Sequence, residues 1–400
     1  MAQSSNPSVE LSVVILNYNV KHFLNLCLES VVEATQNIKT EIIVVDNDSR
    51  DGSVAMVAQK FPQVRCIANK ENFGFSKGNN MGVKHAQGKY ICILNPDTVV
   101  SETTFESLLD FCKQNDNVGV VGPKLVDGSG LFLKECKRGK PTPWNAFTKI
   151  TGLYKLSSRW FGAYYNMKLD QDSTGKTAAV VGAFMLLKKS IYIEIGGFDE
   201  SFFMYFEDDD FCYRIARLGY QNYYAPTTTC IHFKGESTLR DKQFQMRFQA
   251  GINQFYQKHF PNTPFFRLWL RLSSTIFSLI KRFAKPPKPF TEEDSKRSIL
   301  ISRDTKLQGA LQAQTANSTT LCPGLLHVLQ LKNPPSKIFF DTGALRYDEI
   351  INFMETHTKT FDYTFLTKDH SVGVGSASPL SRGHALELDY KAETAVTHLV

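Results

Sequence analysis

Four consecutive carboxylates, Glu207-Asp208-Asp209-Asp210, interrupt an apolar and aromatic stretch running from Phe202 to Tyr213. Burying a charge costs several kcal/mol unless it is paired or bound to a cation. Such a run therefore implies either chemistry or a tightly organised ion-pair network. Acids favour the positive end of the helix dipole, so a helix is expected to begin here. At about 100° per residue, Asp208 falls within the arc of Phe211, Cys212, Ile215 and Leu218. Asp210 falls on the opposite side with Arg214 and Arg217. Asp208 is thus expected to face inward, where desolvation raises proton affinity, which suits a general base. Asp210 is expected to pair with Arg214 on the wet face. Taken alone, the run also reads as a helix start whose carboxylates merely cap amides.

The elements that would position these acids read as an alternation. Apolar runs at 12–16, 41–45 and 89–94 predict buried strands. Helical patterns lie between them, so the first half reads as a parallel α/β sheet. In such sheets ligands bind beyond the carboxyl ends of the strands. Polar clusters stand at those ends: Asn17-Tyr18-Asn19, Asp46-Asn47-Asp48-Ser49, and Asn95-Pro96-Asp97. Each alone reads as an ordinary turn, but three on successive strand ends point to a ligand. Dinucleotide and P-loop fingerprints are absent from this half.

The totals narrow the class. A chain of 400 residues implies two or three domains. Apolar content of 42% with 21% charged residues is that of a globular protein. The net charge of +7 favours anionic surfaces or diphosphates and does not by itself imply nucleic acid. The eight cysteines include no CxxC pair and read as buried small hydrophobes of a reducing compartment. The N-terminal stretch lacks the basic region of a signal peptide, and no run has the length of a spanning helix. A cytoplasmic location is expected.

The segments SVVILNYN, EIIVVDNDSRDGS, ENFGFSKGNN, ILNPDT, VVGAFMLLKK and GGFDESFFMYFEDDDFCYRIARLGY occur in an order that resembles family 2 glycosyltransferases, most of all their rhamnosyltransferase-like group. The resemblance covers roughly residues 10 to 260 and implies a GT-A fold of the α/β class. It implies that a nucleotide-diphosphate sugar is bound by Asn17, Tyr18, Asp46, Asn72, Gly74, Phe75, Gly78, Asn79 and Asn95. Glycine at 74 and 78 would let the backbone approach that donor closely. The family's DxD stands here as Asn95-Pro96-Asp97, which keeps one carboxylate for a divalent cation, Mg²⁺ or Mn²⁺. His232, after the last strand pattern of this half, would be its second ligand. Asp208 would be the base, with Glu207 its partner on the acceptor side. Trp144, Arg138, Gly182 and Ala183 are candidates for the acceptor side, the small pair leaving room for sugar; the structural alternative for 131–144 is a surface loop. The implied reaction is inverting transfer to a hydroxyl of a glycan or lipid-linked acceptor in cell-surface polysaccharide synthesis. The rivals are a sugar-nucleotide-binding scaffold without catalysis and a Rossmann-type oxidoreductase acting through the C-terminal part.

Domain boundaries are expected at 1–260, 261–290 and 291–400. Residues 265–283 place basic and small polar residues on one arc and apolar residues over the rest. That pattern fits a helix in the membrane interface, giving peripheral contact with the cytoplasmic face, and equally one docked on the protein body. Beyond a proline-rich linker at 285–289, further strand and helix patterns read as a small α/β appendage. Its Val372-Gly373-Val374-Gly375 hints at a Rossmann-like turn.

Overall fold

The computed structural model describes residues 8–150, 162–236, 242–260, 297–315, 317–331, 334–376 and 383–390. The candidate interfacial helix at 265–283 lies outside them. In chain order the elements are β1 (Leu11–Asn17), α1 (Lys21–Ala34), β2 (Thr40–Asp46), α2 (Ser53–Lys60), β3 (Arg65–Ala68), α3 (Gly74–His85), β4 (Tyr90–Leu94), β5 (Thr98–Val99), α4 (Thr104–Gln114), β6 (Val118–Val126), α5 (Pro143–Ile150), β7 (Gly175–Thr177), β8 (Phe184–Lys188), α6 (Lys189–Glu194), α7 (Glu207–Arg217), β9 (Gln221–His232) and α8 (Lys242–His259). A second set follows: β10 (Arg297–Ile301), α9 (Thr305–Thr315), β11 (Ser318–Cys322), α10 (Leu325–Leu329), β12 (Lys337–Asp341), α11 (Tyr347–Thr356), β13 (Asp362–Leu366), β14 (Val372–Gly375) and β15 (His384–Glu387).

The first sheet runs β3-β2-β1-β4-β8-β6-β9-β5, with β7 added on β9. Its first half is parallel, as the strand–helix alternation requires. Beyond β4 it is mixed, because β8 enters antiparallel to both β4 and β6. Strand β1 shows why the apolar runs are continuous. Val13 and Ile15 face the layer holding Leu24 and Leu28 of α1, while Val14 faces Val83 of α3. Each such fully buried side chain contributes about 1.5–3 kcal/mol relative to exposure. Seven of the eight cysteines are buried and all are free, as small core hydrophobes.

The second sheet, β11-β10-β12-β13-β14-β15, is parallel through β13 and antiparallel after it. It does not stand apart from the first. One apolar cluster joins Phe23 and Leu26 of α1, Val126, Ile231 and Phe233 to Ile299, Phe340, Met354 and Val374. Polar contacts reinforce the junction. The Glu102 carboxylate accepts from the amides of Tyr347 and Asp348 at the start of α11 (2.8 and 3.0 Å), and Glu29 accepts from the Lys368 amide at 3.1 Å. Val372–Gly375 is strand β14, paired on both sides. The expected glycine-rich turn between strand and helix is therefore not there, and the oxidoreductase reading loses the residues it rested on.

Candidate active site

The carboxyl ends of β1, β2 and β4 and the start of α7 open onto one cavity of about 530 Å³. The chain turns into α7 through Tyr205 and Phe206, both left-handed at φ 75° and 69°. Two consecutive non-glycine residues in that region are strained, by roughly 1–3 kcal/mol each. Aromatic packing holds them: Phe206 lies against Phe248 and Phe255 of α8, and Tyr205 against Phe244. The turn projects the first residues of α7 into the cavity wall, where Glu207, Asp208 and Asp209 all stand.

The four acids have four different environments. Asp208 is 7% exposed; its Oδ2 accepts from Arg138 Nη2 at 2.7 Å and from the Gly182 amide at 2.9 Å, and its Oδ1 from the Asp209 amide at 2.8 Å. Asp209 takes the other arm of the same guanidinium, Nη1, at 2.7 Å. Glu207 is 6% exposed and its Oε2 has no hydrogen-bond partner among the described residues. Burial first, and then the charge of Asp208, push Glu207 well above the usual carboxylate range. Asp210 is fully buried, which corrects the expectation of a wet face. It does pair with Arg214 Nε at 2.7 Å, but it also accepts from Lys258 Nζ and contacts His259 Nε2, each at 2.7 Å. Helix α8 covers the side that helical periodicity assigns to solvent. Burial works against the Asp210 charge, yet His259, Arg214 and Lys258 together hold its carboxyl below the usual range.

Opposite the acids, Asn95, Asp97 and His232 converge. Asp97 Oδ1 lies 3.4 Å from His232 Nε2, which also lies 3.4 Å from Asn95 Nδ2. The short pairing of β5 with β9 sets this meeting, since it places Thr98 opposite His232. The Asn95 amide donates to Ala183 O at 2.9 Å and so fixes the turn against the Gly182-Ala183 segment. His232 Nδ1 is buried without a partner among the described residues. One carboxylate and one imidazole in the wall of the cavity fit a hard divalent cation whose remaining positions would be filled by phosphate oxygens or water.

The expected donor residues divide into two groups. Tyr18, Asn72, Gly74, Phe75 and Asn95 line the cavity. Asn17, Asp46, Gly78 and Asn79 stand behind it. Asn17 Nδ2 donates to Asp46 Oδ2 at 2.7 Å, and Asp46 Oδ1 accepts from the Ser49 amide at 2.8 Å, so this pair braces the strand ends. Gly78 is glycine because a Cβ would collide with Leu16, which lets α3 close on β1; it makes no approach to the cavity. Gly74 is left-handed at φ 78° and sits under Phe203.

The acceptor-side expectations are revised in a similar way. Arg138 lies in the cavity wall, but its guanidinium is committed to Asp208, Asp209 and the Val180 carbonyl. Gly182 leaves room for Phe75 and Asp208, at 3.1 and 3.5 Å from a hypothetical Cβ, more than for a ligand. Ala183 lines the cavity and anchors Asn95 through its carbonyl. Trp144 is 56% exposed on α5, outside the cavity lining.

A model described as "Glycosyl transferase family 2" matches residues 12–196. Over 256 residues the chain is 34% identical to the glycosyltransferase GlyG of Streptococcus pneumoniae serotype 4, spanning 62% of this chain and 78% of that one. The chain belongs to glycosyltransferase family 2. It is also 26% identical over 242 residues to the N-acetylglucosaminyl-diphospho-decaprenol L-rhamnosyltransferase of Mycobacterium tuberculosis, covering 58% of this chain and 78% of that relative. Among solved structures it resembles a mannosyltransferase of Pyrobaculum calidifontis in complex with GDP-Man and Mn²⁺, at 18% identity and a TM-score of 0.46, covering 70% of this chain and 77% of that one. The glycosyltransferase is thus of the rhamnosyltransferase-like kind its motifs resemble.

Several cavity residues of this glycosyltransferase escaped the sequence reading. Asn47 ties the donor side together: its Nδ2 donates to Gly74 O at 3.1 Å and Asn72 Oδ1 at 3.2 Å, and its Oδ1 accepts from Asn69 Nδ2 at 2.9 Å. By sequence alone it is one more turn residue beside Asp46. Lys234, ion-paired with Glu135, and Arg247, whose guanidinium carbon lies 4.9 Å from the Phe203 ring centre, bring positive charge to the cavity. Lys234 sits two positions after His232, a signal that was readable. Arg247 carried none, because α8 reaches the cavity only through tertiary packing.

Proposed function

We propose that this glycosyltransferase moves a sugar, with inversion, from a nucleotide-diphosphate donor to an acceptor hydroxyl. The observation carrying this reading is the placement of Glu207 and Asp208 in the wall of the same cavity that Asp97 and His232 line. In the step proposed, the acceptor oxygen bonds to the anomeric carbon as the bond from that carbon to the diphosphate breaks. The hydroxyl proton passes to Asp208, and the electron pair leaves with the nucleoside diphosphate. Tyr18, Asn47, Asn72 and Gly74 would receive the nucleotide end, with Asn17 and Asp46 bracing them from behind. Asp97 and His232 would hold one divalent cation, Mg²⁺ or Mn²⁺, whose chemistry is to neutralise charge on the departing diphosphate.

The acceptor end would be the aromatic side of the cavity, where Tyr164, Tyr165, Tyr205, Phe244 and Phe248 offer faces for a sugar ring. A glycan or lipid-linked acceptor of cell-surface polysaccharide synthesis agrees with that lining and with the kind of acceptor named for the mycobacterial relative. The division proposed is a catalytic unit at 1–260, a connecting segment at 261–290 and an α/β module at 291–400. No helix among the described residues is long and apolar enough to cross a membrane. Peripheral contact with the cytoplasmic face of the membrane through 265–283 is the corresponding proposal for location.

The test is a screen of nucleotide sugars with purified protein, reading nucleoside diphosphate release with and without Mg²⁺ or Mn²⁺. Asp208→Asn is expected to lower turnover by about a thousandfold, within the usual range for loss of a general base, and to leave donor affinity within several-fold. Near-wild-type transfer by that variant, or a product retaining the donor's anomeric configuration, would overturn the mechanism.

A further inference from the structure

The acid cluster holds three carboxylates at the cavity, from Glu207, Asp208 and Asp209, around one guanidinium, that of Arg138. Arg138 spends one terminal nitrogen on Asp208 and the other on Asp209, each at 2.7 Å. It reaches this position because the chain at Arg138 bridges to Ala179, through amide–carbonyl bonds of 2.8 and 3.1 Å. The same segment meets the cluster twice more, the Val180 carbonyl accepting from the guanidinium and the Gly182 amide donating to Asp208. Glu207 is left out of this arrangement. Its Oε2 is buried without a partner among the described residues, although the residue lines the cavity.

A bare, buried carboxylate oxygen is expensive, costing far more than a neutral carboxyl in the same place. Two carboxylates ionise readily beside one shared cation, but the third, Glu207, meets burial and the like charge of Asp208, opposed less strongly by its own backbone amide and by Arg138. The groups facing Glu207 confirm the imbalance. On its own helix stand Asp208 and Asp209; from the segment before α5 comes Arg138, already divided between those two. Across the cavity are Asp97 and His232 from the β4–β5 turn and β9, Lys234 paired with Glu135, and Arg247 from α8 over the Phe203 ring. Burial and the Asp208 charge act in the same direction on its proton affinity.

We propose that Glu207 stands in the resting site as a neutral carboxylic acid that donates a hydrogen bond to an acceptor oxygen, and that Arg138 is the positioning residue that reserves the ionised state for Asp208. This rests on the sugar-transfer reading for its catalytic part and on the geometry alone for its charge states. It separates two adjacent acids by environment: one carboxylate to take a proton, one acid to hold the acceptor. It also reassigns Arg138, whose guanidinium acts through Asp208 and not on the acceptor.

Infrared titration of the resting protein tests the charge states without donor or acceptor. In a Glu29→Gln background, which removes the other carboxyl that burial raises to about 7 and is kept for every variant below, a protonated-carboxyl band is expected at neutral pH, lost on alkaline titration and missing once Glu207→Gln is added. In the double variant Glu207→Gln/Arg138→Met a protonated-carboxyl band is expected to return, because Asp208 and Asp209 then share no cation. In Glu207→Gln/Arg138→Lys it is expected to stay absent, and the amide bands of the same spectra report whether each variant is folded. A neutral-pH carboxyl region unchanged by Glu207→Gln would overturn the assignment of Glu207. Failure of the band to return in a folded Arg138→Met double variant would overturn the role of Arg138.

With the nucleotide sugar found by the screen, Glu207→Gln is expected to lower kcat about fivefold and Glu207→Ala about a hundredfold. The wild-type rate should fall at alkaline pH, and that limb should be missing in Glu207→Gln. Equal inactivation by Gln and Ala with the alkaline limb intact would refute the neutral acid. If no nucleotide sugar is turned over, the transfer reading fails while the infrared result still decides the protonation of Glu207.

Discussion

The two sheets present the same kind of edge and use it in opposite ways. At the carboxyl ends of the second sheet, Ser302, Asp341 and His370 are buried or nearly so, yet each is answered by another. Ser302 Oγ donates to Asp341 Oδ2 at 2.6 Å, His370 Nε2 lies 2.8 Å from Asp341 Oδ1, and the Gly343 amide donates to the same oxygen at 3.0 Å. Tyr390 closes the edge by donating to Asp304 at 2.5 Å. At the edge of the first sheet, polar atoms are left over. His232 Nδ1, Glu207 Oε2, Asn17 Oδ1 and Asn79 Oδ1 are buried without partners among the described residues. Unsatisfied buried polar atoms cost about 1–3 kcal/mol each, so a fold that retains several at one edge is holding them for something else. Strand order and buried acids do not distinguish the edges; the balance of partners does.

The comparison can be broken first at the edge with leftovers. Asp97→Ala and His232→Ala should each lower cation-stimulated nucleoside diphosphate release by on the order of 10²–10³, with little change in the unfolding midpoint. A cation titration of both variants measures this. Stimulation that persists in both would remove the cation from this edge.

The junction between the sheets comes next. Glu29, buried there, is pushed up to about 7 by burial, against the opposing pull of the Lys368 amide. Its folded pKa lies above the unfolded value of about 4.5, so the folded state binds the extra proton and stability falls as pH rises from about 4.5 to 7, then levels. The loss at this one group amounts to about 3 kcal/mol. Glu29→Gln should match wild type near pH 4.5 and be the more stable above pH 7 in thermal unfolding followed across pH. Parallel pH profiles for the two proteins would show that Glu29 is not strained at this junction.

The smallest expected effect belongs to the closed edge. Asp341→Asn should cost about 2 kcal/mol in denaturant unfolding, since it weakens charge-assisted bonds from His370 and Ser302. Nucleoside diphosphate release per folded molecule should not change. A fall in turnover with stability intact would mean that the second edge also serves the reaction.

Much of the first edge was readable because its chemistry lies in short segments at strand ends. Asp97 and His232 follow from the resemblance of their segments to the family, and α7 begins at Glu207, where the acid run calls for a helix. What stayed hidden depends on which distant segment arrives to cover a side chain. Helical periodicity puts Asp210 on the open face, but α8 brings Lys258 and His259 onto it from beyond β9. Arg138 lies in a basic, proline-bearing stretch that reads as a loop, and only the bridge to Ala179 turns its guanidinium under the acids. Gly78 carries no local sign that its missing Cβ serves Leu16. The glycines at 373 and 375 resemble a phosphate-binding turn until pairing with β13 and β15 shows them to be a strand.

The cluster joining the two sheets also bears on how the chain is made. Phe23, Leu26, Val126, Ile231 and Phe233 leave the ribosome well before the residues that cover them, Ile299 through Val374. The roughly 140 residues between Phe233 and Val374 take roughly 7 to 28 s to add at usual rates of synthesis. Through that interval the first sheet has its strands but lacks the covering for one apolar face. The nascent glycosyltransferase thus exposes apolar surface of the kind chaperones bind, and a stop codon between α8 and β14 would release a chain with its candidate catalytic residues present and its core open.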